Sequence, residues 1–152
     1  MEHAPAQPAT EHDVLLTLFD LGRQVTSVLE LSELLPKIPE LVARLIPFDA
    51  FGVYLYYERR DELKLEYAVG YPDRDAGFRI KCGEGIVGRA VAEGEPIVVG
   101  DAAEDPYYIE VVPGMVSDLV VPMMYKSRAI GALNVLSHNR QQYGERDVQI
   151  LR

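Results

Sequence analysis

The chain changes its hydrophobic period near residue 50. Before this point apolar residues recur every three or four positions, which is the period of an amphipathic helix. The first helical stretch carries a heptad-like seam made of Val14, Leu18, Leu21, Val25 and Val28. A second stretch covers residues 31–46, and Pro39 suits the first turn of its main part, residues 39–46. The seam predicts either a homodimer through the terminal helices or a helix packed on the domain's own sheet.

Beyond residue 50 the hydrophobic period becomes two, which predicts strands. The predicted strands cover residues 50–56, 62–69, 78–81, 96–99, 119–125 and 129–136. Short turns join the first pair and the last pair, so each pair should form an antiparallel hairpin. In the second strand we expect one buried face, formed by Leu63, Leu65, Tyr67 and Val69. Helices at both ends and antiparallel strands between them predict an α+β fold.

The length of the chain suits one domain. Residues 1–12 are rich in Ala, Pro, Gln and His and are predicted to be a disordered lead-in, so the domain should occupy residues 13–152. A last apolar pattern begins at Val148 and stops at Arg152, which is short for a stable helix. We therefore expect a truncated last helix and an N-terminal piece of a longer protein, with a complete small protein as the alternative.

Charge and composition argue against several classes of partner. The net charge is −9 and the basic residues are dispersed, whereas nucleic-acid binding needs clustered Lys and Arg. No run of apolar residues is close to the length of a membrane-spanning helix, which is about 20 residues. Residues 1–10 lack the basic and then apolar layout of a signal peptide. We predict a cytoplasmic protein that binds neither nucleic acid nor membrane.

The segment Gly83-x-Gly85-x-x-Gly88 matches the spacing of a dinucleotide-binding fingerprint. A strand precedes it and a helix follows, but that helix stops at Gly94, which is short for the crossover of a parallel sheet. The flanking hairpins also indicate antiparallel pairing. We interpret the glycines as a tight turn that opens a short helix, whose free N–H groups could receive an anion.

Side chains that carry chemistry are scattered. The single cysteine, Cys82, excludes an internal disulfide and a zinc site of several cysteines. It is expected to be a small buried residue, with a redox-sensing thiol as the alternative. Asp101, Asp105 and Asp118 could form paired carboxylates or a cation site. Tyr107, Tyr108 and Ile109 lie in the loop 101–116, where aromatic side chains could close an apolar pocket.

Several short motifs follow each other in the order and spacing of a known family. They are Phe78-x-Ile80, Gly83–Gly88, Pro96–Val99 with Asp101, Asp105-Pro106-Tyr107, Ser117–Met123, Ile130–Val135 and the closing Tyr143–Leu151. Together they resemble a GAF domain over roughly residues 14–152. The resemblance implies a PAS-related antiparallel sheet of about six strands. It places N- and C-terminal helices on one face and a ligand pocket, under the loop 101–116, on the other.

The resemblance also implies a function. GAF domains typically sense a small molecule or a redox signal and pass the state along terminal helices to an output domain. We therefore predict a regulatory domain rather than an enzyme, without an identified cofactor, acting on a C-terminal kinase, phosphatase or cyclase. The expected ligand-binding residues are Tyr54, Phe78, Ile80, Val87, Asp101, Tyr107, Tyr108, Ile109, Ser117 and Asp118.

Two alternatives stay open. The first is a ligand-free dimerisation module, in which Phe78, Tyr108 and aliphatic side chains fill the pocket. The second is an enzyme like the free methionine sulfoxide reductases of this fold, but these work through several cysteines and Cys82 alone cannot form an intramolecular resolving disulfide.

This sequence also departs from the family pattern. Val116 stands where the family often has Arg, so an anion contact from that position is not expected. Asp118 stands where the family often has Glu. The Asn-Lys-Phe-Asp signature of cyclic-nucleotide-binding members is absent, and Cys82 is not at the position that links a bilin.

Overall fold

The computed structural model describes residues 33–73 and 77–152. The predicted lead-in and the seam of the first helix, from Val14 to Val28, lie outside these ranges. The chain divides into two compact units, residues 1–36 and residues 37–152, and the sheet with its three helices belongs to the second.

The sheet contains six strands, and all of its pairings are antiparallel. They are β1 (Ala50–Tyr57), β2 (Glu62–Val69), β3 (Arg79–Lys81), β4 (Ile97–Val99), β5 (Ser117–Tyr125) and β6 (Arg128–Ser137). Their order across the sheet is β3-β2-β1-β6-β5-β4. The predicted α+β fold with about six antiparallel strands is therefore confirmed. The longest strands lie at the centre of the sheet, so polar side chains on these strands can be buried.

Within residues 33–73 and 77–152, three α-helices accompany the sheet: α1 (Lys37–Ala43), α2 (Gly85–Glu93) and α3 (Glu145–Leu151). The helix predicted over residues 39–46 begins earlier and ends at Ala43, although Ile46 N–H still donates to Val42 O at 2.8 Å. Gly94 ends α2 as expected, because its φ of 70° places it in the left-handed region that glycine favours. The first turn of α3 is capped by Asp147, whose Oδ2 accepts from Gly144 N–H at 2.9 Å.

A β-bulge changes the face of β2 halfway along the strand. Val53 pairs with Tyr67 while its neighbour Tyr54 pairs with Leu65, which leaves Glu66 as the extra residue. One extra residue moves every later side chain to the opposite face. The predicted single buried face is therefore wrong beyond Leu65: Leu65 is 4% exposed, whereas Val69 is 40% exposed.

Both faces of the sheet are buried. On one face, strand side chains pack with one side of α2 in a single core cluster that includes Tyr54, Leu63, Val120, Ile86 and Ala90. On the opposite face Phe51, Val53, Leu119, Val121 and Val135 are buried. The helices α1 and α3 contribute Val42 and Val148, which are buried outside the α2 cluster.

Candidate functional site

A small cavity lies between the central strands, α2 and the loop 101–116, which we call the roof loop. Its lining residues are Tyr54, Tyr71, Phe78, Ile80, Ile86, Val87, Tyr108, Ile109, Val111, Asp118, Asn134 and Leu136. The cavity measures about 20 Å³. This volume has room for about one water molecule. In this form the roof loop is closed on the sheet.

Three neighbouring strands provide the polar floor of the cavity. Tyr54 on β1 pairs with Ala132 on β6, and Asn134 on β6 pairs with Val120 on β5, so these positions share a face with Asp118. Asn134 Nδ2 donates to the Asp118 carboxylate and also to Leu119 O, the latter at 3.2 Å. Tyr71 OH donates to Asn134 Oδ1 at 3.2 Å. The amide of Asn134 is therefore fixed between a phenol and a carboxylate.

The Asp118 carboxyl group has a pKa close to neutral pH. Its pKa is raised from the ordinary 3.8 to about 7, mainly by burial; the nearby Asp105 adds to the rise, and hydrogen bonds from Asn134 and the Leu119 backbone oppose it. Burial also raises the pKa of Tyr71 and of Tyr108, so both phenols keep their protons. Among the described residues that line the cavity there is no Lys, Arg or His to balance the negative charge.

The roof loop is fastened to α2 at two points. A side chain on Gly85 would meet Ile109 Cδ1 at 3.1 Å, so glycine lets the loop approach the first turn of α2. The φ of 61° at Gly85 also favours glycine there. Above this contact, the Arg89 guanidinium lies 4.1 Å from the centroid of the Tyr107 ring. Both contacts hold the middle of the roof loop on α2.

Seven of the ten predicted ligand-binding residues line the cavity: Tyr54, Phe78, Ile80, Val87, Tyr108, Ile109 and Asp118. The other three do not. Tyr107 is exposed and stacks on Arg89. Asp101 Oδ1 accepts from Ala103 N–H at 3.0 Å and caps the short 3-10 helix Ala102–Glu104. Ser117 is buried and its Oγ donates to Asn139 O at 2.6 Å, away from the cavity.

The prediction missed five lining residues: Tyr71, Ile86, Val111, Asn134 and Leu136. Asn134 could have been found, because it is the one polar residue in the apolar run 129–136. A buried polar side chain within a strand needs a hydrogen-bond partner, and that need marks a candidate site. Tyr71 gave no such signal, since it lies in a loop whose path depends on the sheet.

The glycine segment forms the tight turn that we predicted. Gly83 N–H donates to Gly88 O at 2.8 Å, and a side chain on Gly88 would collide with Lys81 O. The strands before and after it, β3 and β4, lie at opposite edges of the antiparallel sheet. That topology is incompatible with a dinucleotide-binding βαβ unit, whose strands lie side by side and parallel.

Cys82 lies outside the cavity. It lines a separate surface groove with Tyr56, Val91 and Met124, and its thiol has a raised pKa because it is partly buried and close to Asp61. The described ranges contain no cluster of three or more His, Cys, Asp or Glu that could hold a metal ion. Across the same ranges, no helix has the length and apolarity needed to span a membrane.

Comparisons with known proteins place the chain in a family. The family model described as GAF domain matches residues 28–152. The Nif-specific regulatory protein of Azospirillum lipoferum is 29% identical over 135 residues, which cover 84% of this chain and 22% of that relative. The corresponding protein of Azospirillum brasilense is also 29% identical, over 84% of this chain and 21% of its own length. The chain thus spans about a fifth of the length of the curated relatives it matches.

Solved structures give the same fold. The free methionine-R-sulfoxide reductase of Neisseria meningitidis, solved with its substrate, is 31% identical, with a TM-score of 0.66 over 79% of this chain and 80% of that one. The GAF domain of a phosphoenolpyruvate-protein phosphotransferase from Coxiella burnetii has a TM-score of 0.73 and 21% identity, over 90% of this chain and 86% of its own. The match over most of the sequence shows that the chain belongs to the GAF domain family.

Proposed function

We propose that this GAF domain is a regulatory sensor that binds a small molecule between the sheet and the roof loop. The buried carboxylate of Asp118 in the cavity floor is the observation that carries the proposal. An unbalanced buried charge lowers stability, so a fold that keeps one gains from a ligand that neutralises it. The Nif-specific regulators, which are similar over this region, support a regulatory role.

The same carboxylate suggests the chemical class of the ligand. Asp118 accepts hydrogen bonds, the phenols of Tyr71 and Tyr108 and the amide of Asn134 add orientation, and most of the other lining residues are apolar. A ligand with an ammonium or another N–H donor group on a short apolar body would match this surface. An anion would instead face a second negative charge in a place without a lining Lys or Arg among the described residues.

Binding requires the roof loop to lift. Sites for small molecules usually enclose several hundred Å³. The cavity encloses only about 20 Å³ with Tyr108 and Ile109 in place. Displacing these two side chains would open it without altering the floor. We propose that the opened and closed loop are the two states that a C-terminal output domain, such as a kinase, a phosphatase or a cyclase, would read.

The rival function is a ligand-free dimerisation module. The small volume of the cavity favours it, because the lining, which includes Phe78 and Tyr108, leaves room for only about one water molecule. In that case the terminal helices would do the work, through the predicted seam that lies outside the described residues. The homodimer and the cytoplasmic location stay predictions.

We propose that the domain is not a sulfoxide reductase, although one such enzyme is 31% identical. Reduction of a sulfoxide by thiols needs a nucleophilic cysteine at the substrate and a second thiol to resolve the intermediate. The sequence has one cysteine, and Cys82 does not line the cavity. Free methionine sulfoxide is still a sensible probe for binding, since it carries an ammonium group.

The test is thermal melting of the chain at pH 8 with three probes of similar size: isobutylammonium, isobutyrate and isobutanol. Free methionine sulfoxide and a broad panel of amino acids, amines and nucleotides complete the set. A ligand at 100 times its Kd adds about 2.7 kcal/mol of stability. We expect amines to raise the melting temperature, and Asp118→Asn, which keeps the shape of the side chain, to abolish that rise.

The outcomes separate the two functions. A rise with isobutyrate or isobutanol but not with the amine would leave a sensor and refute the ligand class. No rise with any compound would refute the sensor and favour the dimerisation module. Sedimentation of Leu21→Glu and Val25→Glu then tests that module, because a working dimer seam should be lost in both variants.

A further inference from the structure

The segment between β6 and α3 contacts both ends of the roof loop. Gln141 N–H donates to Gly100 O at 2.9 Å. Arg140 Nε lies 3.3 Å from Asp101 Oδ2, which forms an ion pair at the start of the loop. At the other end, His138 Nδ1 lies 3.0 Å from Gly114 O. One short segment, residues 138–143, which we call the junction, therefore holds the loop where it begins and where it ends.

The junction also reaches the chain that follows α1. His138 N–H donates to Asp49 Oδ2 at 2.8 Å, and Tyr143 OH donates to Pro47 O at 2.9 Å. Tyr143 is buried, and its hydrogen bond to Pro47 is partly buried. At its C-terminal end the junction runs through Gly144 into α3. The residues that follow α1, the start of α3 and both ends of the roof loop thus meet on the same segment.

The base of the roof loop cannot move without the junction. The two ends of the loop are joined to each other, since Ala102 N–H donates to Val116 O at 2.7 Å. Val116 N–H donates to Ser137 O at 2.8 Å, next to the junction. The base of the loop is therefore hydrogen-bonded to the junction at Gly114 and at Gly100, the residue just before the loop.

Gln141 has a strained backbone conformation. Its φ is 54°, in the left-handed region that few residues other than glycine adopt. Such a conformation persists when its surroundings hold it. Here a side chain on Gly100 would meet the Gln141 amide at 2.5 Å, so the two residues pack directly on each other. Moving Gly100 would release Gln141, three residues before the cap of α3 at Gly144.

We propose that residues 138–143 couple the position of the roof loop to α3 and to the residues that follow α1. The coupling rests on the proposed function, in which lifting of that loop is the signal. When the roof loop lifts, Gly100 and Gly114 shift, Gln141 leaves its left-handed conformation, and the start of α3 is displaced. The hydrogen bonds to Pro47 and Asp49 carry the same displacement to the residues that follow α1.

The coupling can be tested without a ligand, by opening the loop with a substitution. Tyr108→Glu places a carboxylate in the cavity beside Asp118, so the loop must lift to keep the new charge in water. Tyr108→Phe is the matched control. Amide chemical shifts of the full chain, measured by NMR, report on the roof loop at residues 105–111 and on α3 at residues 145–151.

We expect Tyr108→Glu to move both groups of amide signals, and Tyr108→Phe to leave α3 unchanged. In a background that carries Asp101→Asn and Gln141→Gly, which removes the ion pair and the strained backbone, the loop signals should still move. The signals of α3 should then stay in place. Arg89→Met, which removes the stacking on Tyr107, serves as a second opener in case Tyr108→Glu does not fold.

Three results would overturn the coupling. One is a set of α3 signals that does not respond to either opener. Another is an equal response of α3 in the Asp101→Asn, Gln141→Gly background. The third is a roof loop whose signals do not move with either opener. Because no ligand is used, a sensor that fails the melting test leaves this result unaffected, and the two proposals can fail separately.

Discussion

The side-chain amide of Asn134 donates a hydrogen bond to the carboxylate of Asp118 across neighbouring strands of the sheet. Asp118 is 4% exposed and Asn134 is 3% exposed, so their hydrogen bond is buried away from solvent. A neutral amide compensates a buried carboxylate only in part, because it brings donors but no positive charge. The pair therefore marks a place where stability is reduced in the absence of a partner, and it determines how the protein should respond to pH.

We expect Asp118→Asn to stabilise the protein at pH 8 and to have little effect at pH 4. The pKa of Asp118 rises from 3.8 in the unfolded chain to about 7 in the folded one. Above pH 7 the folded protein must bury a charge that the unfolded chain keeps in water. At pH 4 the folded carboxyl is neutral and the unfolded one is only about half ionised, so little of this difference remains. The gain at pH 8 should be roughly 1–4 kcal/mol.

Urea unfolding at both pH values measures the gain as a difference between the variant and the parent protein. This difference cancels the titration of all other carboxyl groups. Glu104→Gln, a change at an exposed position of the roof loop, is the control and should shift stability equally at both pH values. A gain from Asp118→Asn that does not change with pH would show that Asp118 is not a buried charge.

Asn134→Leu should destabilise the protein, and more so at pH 8 than at pH 5. The substitution removes the donor to Asp118 and the acceptor of Tyr71 while it keeps a similar volume. Leaving buried polar groups unsatisfied costs about 1–3 kcal/mol, and more when one is charged. Unfolding by urea at the two pH values checks the result. An equal loss at both would mean that packing, not the carboxylate contact, determines the role of Asn134.

Gly88→Ala should destabilise the domain, although alanine normally favours a helix interior by about 1 kcal/mol over glycine. The reason is the collision of the new Cβ with the backbone oxygen of Lys81. Thermal unfolding measures the loss, and Gly144→Ala is the matched control, since a side chain there meets nothing within 4 Å. If Gly88→Ala melts at or above the temperature of the parent protein, the turn must be looser than this contact indicates.

Much of the fold could be predicted from the sequence, because alternation and turn residues act locally. The strands from Ala50 to Tyr57 and from Ser117 to Tyr125 follow their patterns closely. The order of the strands is not local, since β1 lies between β2 and β6, which is distant in the chain. For this reason the contact between Asp118 and Asn134, which are 16 residues apart, could not be read from either strand alone.

The roof loop shows the same limit in another way. Its aromatic residues suggested a cover for a pocket, but the two adjacent tyrosines face opposite ways. Tyr107 is exposed, and of the two only Tyr108 lines the cavity. Which of two adjacent tyrosines points inward depends on where Arg89 and Gly85 place the loop on α2. Such placement is a property of the folded domain and leaves no periodic signal.

Deleting Glu66 should be tolerated, whereas deleting Lys64 should not. Glu66 is the extra residue of the bulge, so its removal restores simple alternation and leaves Leu65 and Ala68 facing the core as before. Removing Lys64 instead shifts Leu63 to the opposite face, and Leu63 is fully buried. We expect the first variant to melt cooperatively a few degrees below the parent protein and the second to lose its cooperative transition. If both deletions behave alike, the register of β1 and β2 is not fixed by this bulge.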